Sequence, residues 1–463
     1  MNSVGSAQRR RRVLFVSCFF PPTGGVSVQR VTKFVKYLPD YGWDCSVLTV
    51  ANPSVPLRDD SLSQEIPPAT IIRRARTWEP GYAVKQSVSA SGGGSRGGVV
   101  TRSIKSLIRR AGSAVLQPDP QVLWRWPALK AGLQLLRETP HDAIIATGPP
   151  FSSLLLGATL KRKTGVPLVL DYRDEWGISN AYWENKRPGW IATRVQSLMQ
   201  RHALRAADLI VATTPASTAA IAELGNQCGS HATSACIYNG FDPTDFPPID
   251  SHSPTRPNYG NGTSRYRLAF VGTLWALNPI DPLITAIKTL AQTAPQLLEQ
   301  LELVVAGRRT EDQERALDQL QGLPCAVVRL PFVRHAEACQ LMRSADALLL
   351  LNADYPETHR IVNAKTFEYM AAQRPIFLIA PQGDLHDVVR DLPGAVLTTP
   401  SDPLVIADRL SLELERHRCG FELDHGAWDV ARFERRRLSQ QLAEKLDQLH
   451  HGAPTVSSQF VRS

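Results

Sequence analysis

Twice along its length, this chain runs an apolar, β-prone stretch into a glycine turn and then into a segment of helical spacing. The first is VLFVSCFFPPTGG, residues 13–25, followed by apolar side chains at Val28, Val31, Phe34, Val35 and Leu38. The second is RLAFVGTL, residues 267–274, followed by a helical stretch at about 280–293. A strand that is apolar at nearly every position must be covered on both faces. When helices alternate with such strands, the arrangement that covers both faces is a parallel sheet between two helix layers.

The rhythm continues through DAIIATGPP, PLVLDYRDEW, ADLIVATT and ACIYNGFD in the first half. In the second it runs through LELVVAGRR, CAVVRLPFV, DALLLLN, PIFLIAP and AVLTTP. Between the halves, residues 247–264 are rich in Pro, Ser, Asn and Gly and read as a linker. The expectation is two doubly wound, Rossmann-like α/β domains, 12–246 and 265–427, facing a central cleft. A basic tail (1–11) precedes them, and a final helix (428–450) and a tail (451–463) follow. A length of 463 residues agrees, being too long for one ordinary core. QSVSASGGGSRGG, residues 86–98, reads as a flexible loop. Residues 102–116 read as a surface helix or, given Arg102, Lys105, Arg109 and Arg110, as an element lying on an anionic membrane.

Apolar content of 43% and charged content of 21% fit a globular enzyme. A net charge of +9 is either a solvated basic surface or an attraction to a nucleotide, an anionic glycan or an acidic membrane. No nucleic-acid motif appears, so nucleic acid is not an expected partner. The seven cysteines are scattered and lack metal or disulfide spacing, which points to a reducing cytoplasm. RRRRVLFVSCFFPP reads as a first buried strand, not a signal peptide: its apolar run is about eight residues and stops at Pro21-Pro22. No stretch approaches the roughly 20 apolar residues that span a bilayer.

Ligands of open parallel sheets sit beyond the carboxyl ends of the strands. That directs attention to Gly24 and Gly25, Asp171, Arg173 and Asp174, Gly272 and Thr273, Arg308, and NAKTFE, residues 363–368. Paired glycines before a helix make a tight turn or let backbone N–H groups approach a phosphate. Arg308 adds a cation suited to a diphosphate. Asn363 is a natural helix N-cap. Lys365 then falls in the first turn, where a cation is unfavourable unless an anion is present. Glu368, three residues on, can accept two hydroxyl hydrogen bonds, as a ribose diol offers. The plain alternative is a Lys365–Glu368 ion pair. The DYRDEW cluster is either a structural Asp–Arg pair or a group that orients an acceptor hydroxyl or takes its proton. No carboxylate pair suited to a nucleotide-bound metal occurs, and no cofactor is expected.

These stretches resemble the GT-B glycosyltransferases of the family 4-like retaining group. VLFVSCFFPPTGGVSVQRVTKFVKYLPDYGWDCSVLT, DYRDEW, IYNGFD, FVGTL with NPIDPLITAI, and AKTFEYMAAQRPIF stand in that family's order over roughly residues 12–450. The resemblance implies a nucleotide-diphosphate sugar held mainly by the second domain and a glycan or lipid-linked acceptor held by the first. It implies that Glu368 holds the ribose hydroxyls and that Lys365 and Gly24-Gly25 lie near the diphosphate. The final helix would cross back to the first domain. Transfer would be metal-independent and retaining, in the cytoplasm or at the inner membrane face, in building surface polysaccharide. Two departures stand out. Arg360 occupies the first position of the family's Glu-x7-Glu pattern, and VGTLWALNP lacks the Arg/Lys pair often found there; Lys365 and Arg308 are the stand-ins on offer. The rivals are a nucleotide-sugar epimerase or hydrolase and a non-catalytic binding protein.

Overall fold

The computed structural model describes residues 9–53, 59–79, 116–182, 189–246, 265–420 and 428–452. The expected loop at 86–98, the linker at 247–264 and nearly all of the segment 102–116 lie outside these. So do the first eight and last eleven residues.

The first sheet has seven parallel strands: β1 Arg11–Val16, β2 Trp43–Val50, β3 Ile71–Ala75, β4 Ala143–Gly148, β5 Leu168–Tyr172, β6 Leu209–Ala212 and β7 Thr233–Cys236. Their order is β3-β2-β1-β4-β5-β6-β7. The second has six: β8 Tyr266–Val271, β9 Leu301–Ala306, β10 Ala326–Leu330, β11 Ala347–Leu351, β12 Ile376–Ile379 and β13 Val396–Thr398. Their order is β10-β9-β8-β11-β12-β13. The expected pair of doubly wound domains is the observed one. In each sheet the order reverses beside the first strand, between β1 and β4 and between β8 and β11. Such reversals open the crevice that ligands use.

The central strands are buried throughout, as their composition requires. Glu302 on β9 is the exception that tests the rule. It lies fully buried and is matched by the equally buried Arg267 of β8, Nε to Oε2 2.5 Å. Among the elements that escape the sequence pattern are β3, whose IIRRA carries two arginines, and the helices Arg125–Glu138 and Pro403–Arg418, each with a proline in its first turn.

The last helix, Arg435–Gly452, leaves the second domain and packs on the first. Leu438, Leu442 and Leu446 join Phe34, Leu38 and Trp43 in one core. Trp43 Nε1 donates to Asp447 at 2.7 Å. At the crossing, backbone bonds run from Phe241 N to Phe433 O and from Arg435 N to Phe241 O. Gly240 is needed here, because a Cβ would lie 2.1 Å from the Phe433 carbonyl oxygen.

Candidate active site

The carboxyl ends of the two sheets meet. Segments following β5 and β6 touch segments following β11 and β12. Tyr182 stacks on Tyr355 at 5.3 Å and donates to Pro356 O at 2.8 Å. Thr214 Oγ1 donates to Arg360 O, and Asp384 accepts from Ala216 N. Glu175 accepts from Ser217 Oγ at 2.6 Å and from Arg360 Nη1 at 3.3 Å. Arg360, standing where the family pattern has a glutamate, therefore binds a carboxylate of the opposite domain. Burial raises the Glu175 carboxyl, while Ser217 and Arg360 hold it down.

On the second-domain wall, the helix Lys365–Ala372 starts beside the end of β8. Asn363 does not cap it. Its Nδ2 turns back to Leu351 O (3.1 Å) and Asn352 Oδ1 (2.9 Å), tying the loop to the end of β11. Tyr369 Oη accepts from Val271 N at 3.0 Å, clamping the helix to β8. This fixes Lys365, whose ammonium lies 3.8 Å from the centroid of Phe270. Among the described residues no carboxylate or carbonyl reaches it, so the local Lys365–Glu368 ion pair does not form. Burial pushes Lys365 down to about 7, with Glu368 only partly opposing. Burial also raises the Glu368 carboxyl, against the fields of His335, Arg435 and Lys365. Among the described residues Glu368 has no hydrogen-bond donor. A half-buried cation and a half-buried carboxylate on one helix turn, neither with a protein hydrogen-bond partner among the described residues, are open to a ligand.

Across from them, Gly272 (φ +139°) and Gly307 (φ +122°) lie back to back. Gly272 N donates to Ala306 O, and Leu274 N to Arg308 O, so Gly272-Thr273 runs beside Gly307-Arg308. A Cβ on Gly272 would meet Lys365 Nζ at 3.4 Å. Arg308 is exposed at this edge. The neighbouring Arg309 folds back onto Gly307 O, Leu330 O and Glu314 and is structural.

On the first-domain wall, Gly25 adopts φ +105° before the helix Val26–Tyr37, with nothing within 4 Å of a Cβ built there. The turn leaves room above the helix start. The DYRDEW side chains separate into different roles. Asp171 faces inward: Arg30 Nη2 donates to it at 2.9 Å and Thr147 Oγ1 at 2.9 Å. Arg30 also binds the Ile237 and Tyr238 carbonyls. Asp171 is thus closed off in a buried network with Arg30 and Thr147. Arg173 turns its guanidinium to Pro149 O. Asp174 alone of the three is exposed, with no hydrogen-bond donor among the described residues.

Arg30→Ala leaves Asp171 buried and uncompensated, and is expected to cost about 3–5 kcal/mol of stability. Asp174→Asn is expected to cost almost none. Denaturant titration distinguishes them; equal midpoints contradict the division of roles.

Sequence reasoning missed Arg30, Glu175 and Arg435. Arg435 is buried at the domain crossing, its Nη1 unpartnered, and burial lowers it to about 10 although Glu368, Asp245 and Asp242 support its charge. None of the three sits in a local pattern that announces it.

Residues 24–230 match the family model described as "Glycosyl transferase 4-like domain", and residues 265–415 match "Glycosyl transferases group 1". The chain is a GT-B glycosyltransferase of the family 4 type. This family 4 chain is 27% identical over 290 residues to the D-inositol 3-phosphate glycosyltransferase of Nocardioides sp., covering 60% of this chain and 61% of that one. It is 32% identical over 178 residues to the protein of the same name from Salinispora arenicola, covering 34% and 38%. Each match spans less than two thirds of the relative's length. The crystal structure of Anabaena Alr3699/HepE in complex with UDP-glucose has the same fold, with a TM-score of 0.57 and 18% identity over 94% of this chain and 99% of that chain.

Proposed function

We propose that this chain transfers a glycosyl group from a nucleotide-diphosphate sugar to a hydroxyl of a glycan or lipid-linked acceptor, with retention and without a metal. The carrying observation is that Lys365 and Glu368, half-buried at the point where the second sheet reverses, have no protein hydrogen-bond partner among the described residues. Glu368 accepts two hydrogen bonds from the ribose diol. Lys365, Arg308 and the backbone N–H of Thr273, at the turn that Gly272 and Gly307 shape, neutralise the diphosphate. As the anomeric C–O bond to the diphosphate breaks, that charge grows, so donors fixed there stabilise the transition state more than the ground state. The acceptor oxygen bonds to the anomeric carbon from the same face, and its proton goes to the departing phosphate oxygen. Gly24-Gly25 and Asp174 line the acceptor side, and Arg173 holds the loop that carries Asp174.

Among the described residues no group of three His, Cys, Asp or Glu side chains is placed to hold a metal ion. The solved relative that holds UDP-glucose makes uridine diphosphate sugars the first donors to try. No helix among the described residues is long and apolar enough to cross a membrane. The test is product analysis with donor alone and then with acceptor, each with EDTA. New glycoside of retained configuration is expected only with acceptor present. Free sugar or epimer from donor alone, or full loss in EDTA restored by a divalent cation, contradicts the proposal.

Lys365 supplies a second prediction. Free, it holds its proton only up to about 7, against 10.5 unfolded. Between those values the unfolded chain carries more protons on this group, so its contribution to stability falls as pH drops across that window. A bound diphosphate restores the charge. Binding of a nucleoside diphosphate at about pH 8.5 therefore takes up about one proton, and at about pH 6 almost none. Calorimetry in two buffers of different ionisation heat reads this directly. Uptake that is equal at both pH values, or unchanged in Lys365→Met, contradicts the assignment.

A further inference from the structure

The helix Trp190–Ala206 buries Gln196, Ala203 and Leu204 against the first domain and turns the opposite side outward. At 3.6 residues per turn, that outward side carries Trp190 (77% exposed), Ile191 (60%), Val195 and Leu198 (67%). Interleaved with them on the same side are Arg194 and Arg201, while Arg205 folds its Nε onto Cys228 O at 2.7 Å. The helix contains no acidic residue, and none of these arginines forms an ion pair among the described residues. This pattern is the reverse of an ordinary surface helix, which places its apolar residues inward.

The neighbouring helices extend the surface. Arg125–Glu138, Ser152–Thr164 and Trp190–Ala206 share the core on one side of the first sheet. Trp126 is 70% exposed at the start of the first of these, beside Arg125. Arg162 and Lys163 are exposed at the end of the second. Their charges meet: Arg162 and Arg125 both lower His202, after the larger effect of burial. This side of the domain thus carries exposed tryptophans and aliphatics together with arginines that form no ion pair among the described residues.

We propose that this face docks the protein on an anionic lipid bilayer. Apolar side chains enter the boundary between headgroups and acyl chains, while arginines on the same face reach the phosphates. Tryptophans suit the interface because one end of the ring is apolar and the other polar. The charge argues for a bilayer over a second copy of this chain, since two such faces would bring arginine against arginine. The net charge of +9 gives the whole molecule the same preference. The proposal is independent of the transfer chemistry: a chain inactive with every donor still docks, and one that fails to dock can still turn over a soluble acceptor.

The test uses the full chain with vesicles of phosphatidylcholine alone and of phosphatidylcholine mixed with phosphatidylglycerol, read by co-sedimentation. Binding is expected only to the mixed vesicles, and to weaken steeply with salt. Trp190→Ser with Leu198→Ser, and separately Arg194→Gln with Arg201→Gln, should each weaken it about tenfold or more, leaving the melting temperature and nucleotide binding unchanged. Equal binding to both vesicles, binding unaffected by either pair, or dimers that the substitutions abolish in place of vesicle binding overturn the proposal.

Discussion

Glu368→Ala is expected to lower kcat/KM for the sugar donor by about two to three orders of magnitude while leaving the fold as stable as before, or more stable. The loss follows from two hydrogen bonds to a charged acceptor, each worth roughly 1.5–3 kcal/mol when the partner is left unmet. The stability follows from the other side of the same geometry. Glu368 has no donor among the described residues, and its burial raises its carboxyl, so the free chain bears the cost of a desolvated acid. Removing it relieves that cost, the usual sign of a functional group held at the expense of stability. Steady-state kinetics and a thermal melt on the same preparation check both halves. A drop in activity matched by a large drop in melting temperature would show Glu368 to be a packing residue.

Gly307→Ala is expected to be the most damaging single substitution near the site, costing about 3 kcal/mol or more together with donor binding. The new Cβ would lie 2.1 Å from Gly272 O and 2.9 Å from Gly272 C, and φ at Gly307 is +122°. Both neighbours are backbone, so no side chain can swing away. The ends of β8 and β9 must part, breaking the bonds Gly272 N to Ala306 O and Leu274 N to Arg308 O that shape the turn beside Lys365. Gly25→Ala is the control. Its φ of +105° is also unfavourable to alanine, but a Cβ there meets nothing, so only about 1 kcal/mol is expected. Denaturant midpoints for the two variants should differ widely; similar values would mean that the close approach is not a constraint.

Much of the fold was legible because covering both faces of a parallel strand forces a run of apolar residues, and DALLLLN or LELVVAG can hardly be read otherwise. β3 was not, because an edge strand tolerates Arg73 and Arg74. At the candidate site, Lys365 and Glu368 stand out in the sequence because a lysine in a helix's first turn is an electrostatic anomaly that calls for an anion. The DYRDEW cluster was not resolvable locally. Asp171, Asp174 and Glu175 are chemically alike, and what separates them is the partner each meets: Arg30, far earlier in the chain, for Asp171; open cleft for Asp174; Arg360 of the other domain for Glu175. Asn363 failed as a cap for a related reason. The strand end at Leu351 and Asn352 offered its side chain two bonds where the helix start offered one.

The central claim is that the crevice beside β8 and β11 grips the nucleotide by its ribose and its diphosphate at once. A crystal structure with a bound nucleoside diphosphate tests it most directly. The account predicts both ribose hydroxyls within hydrogen-bond reach of the Glu368 carboxylate, with phosphate oxygens on Lys365 Nζ and the Gly272 turn. A nucleotide seated elsewhere, or one in this crevice with Glu368 still unsatisfied, contradicts it.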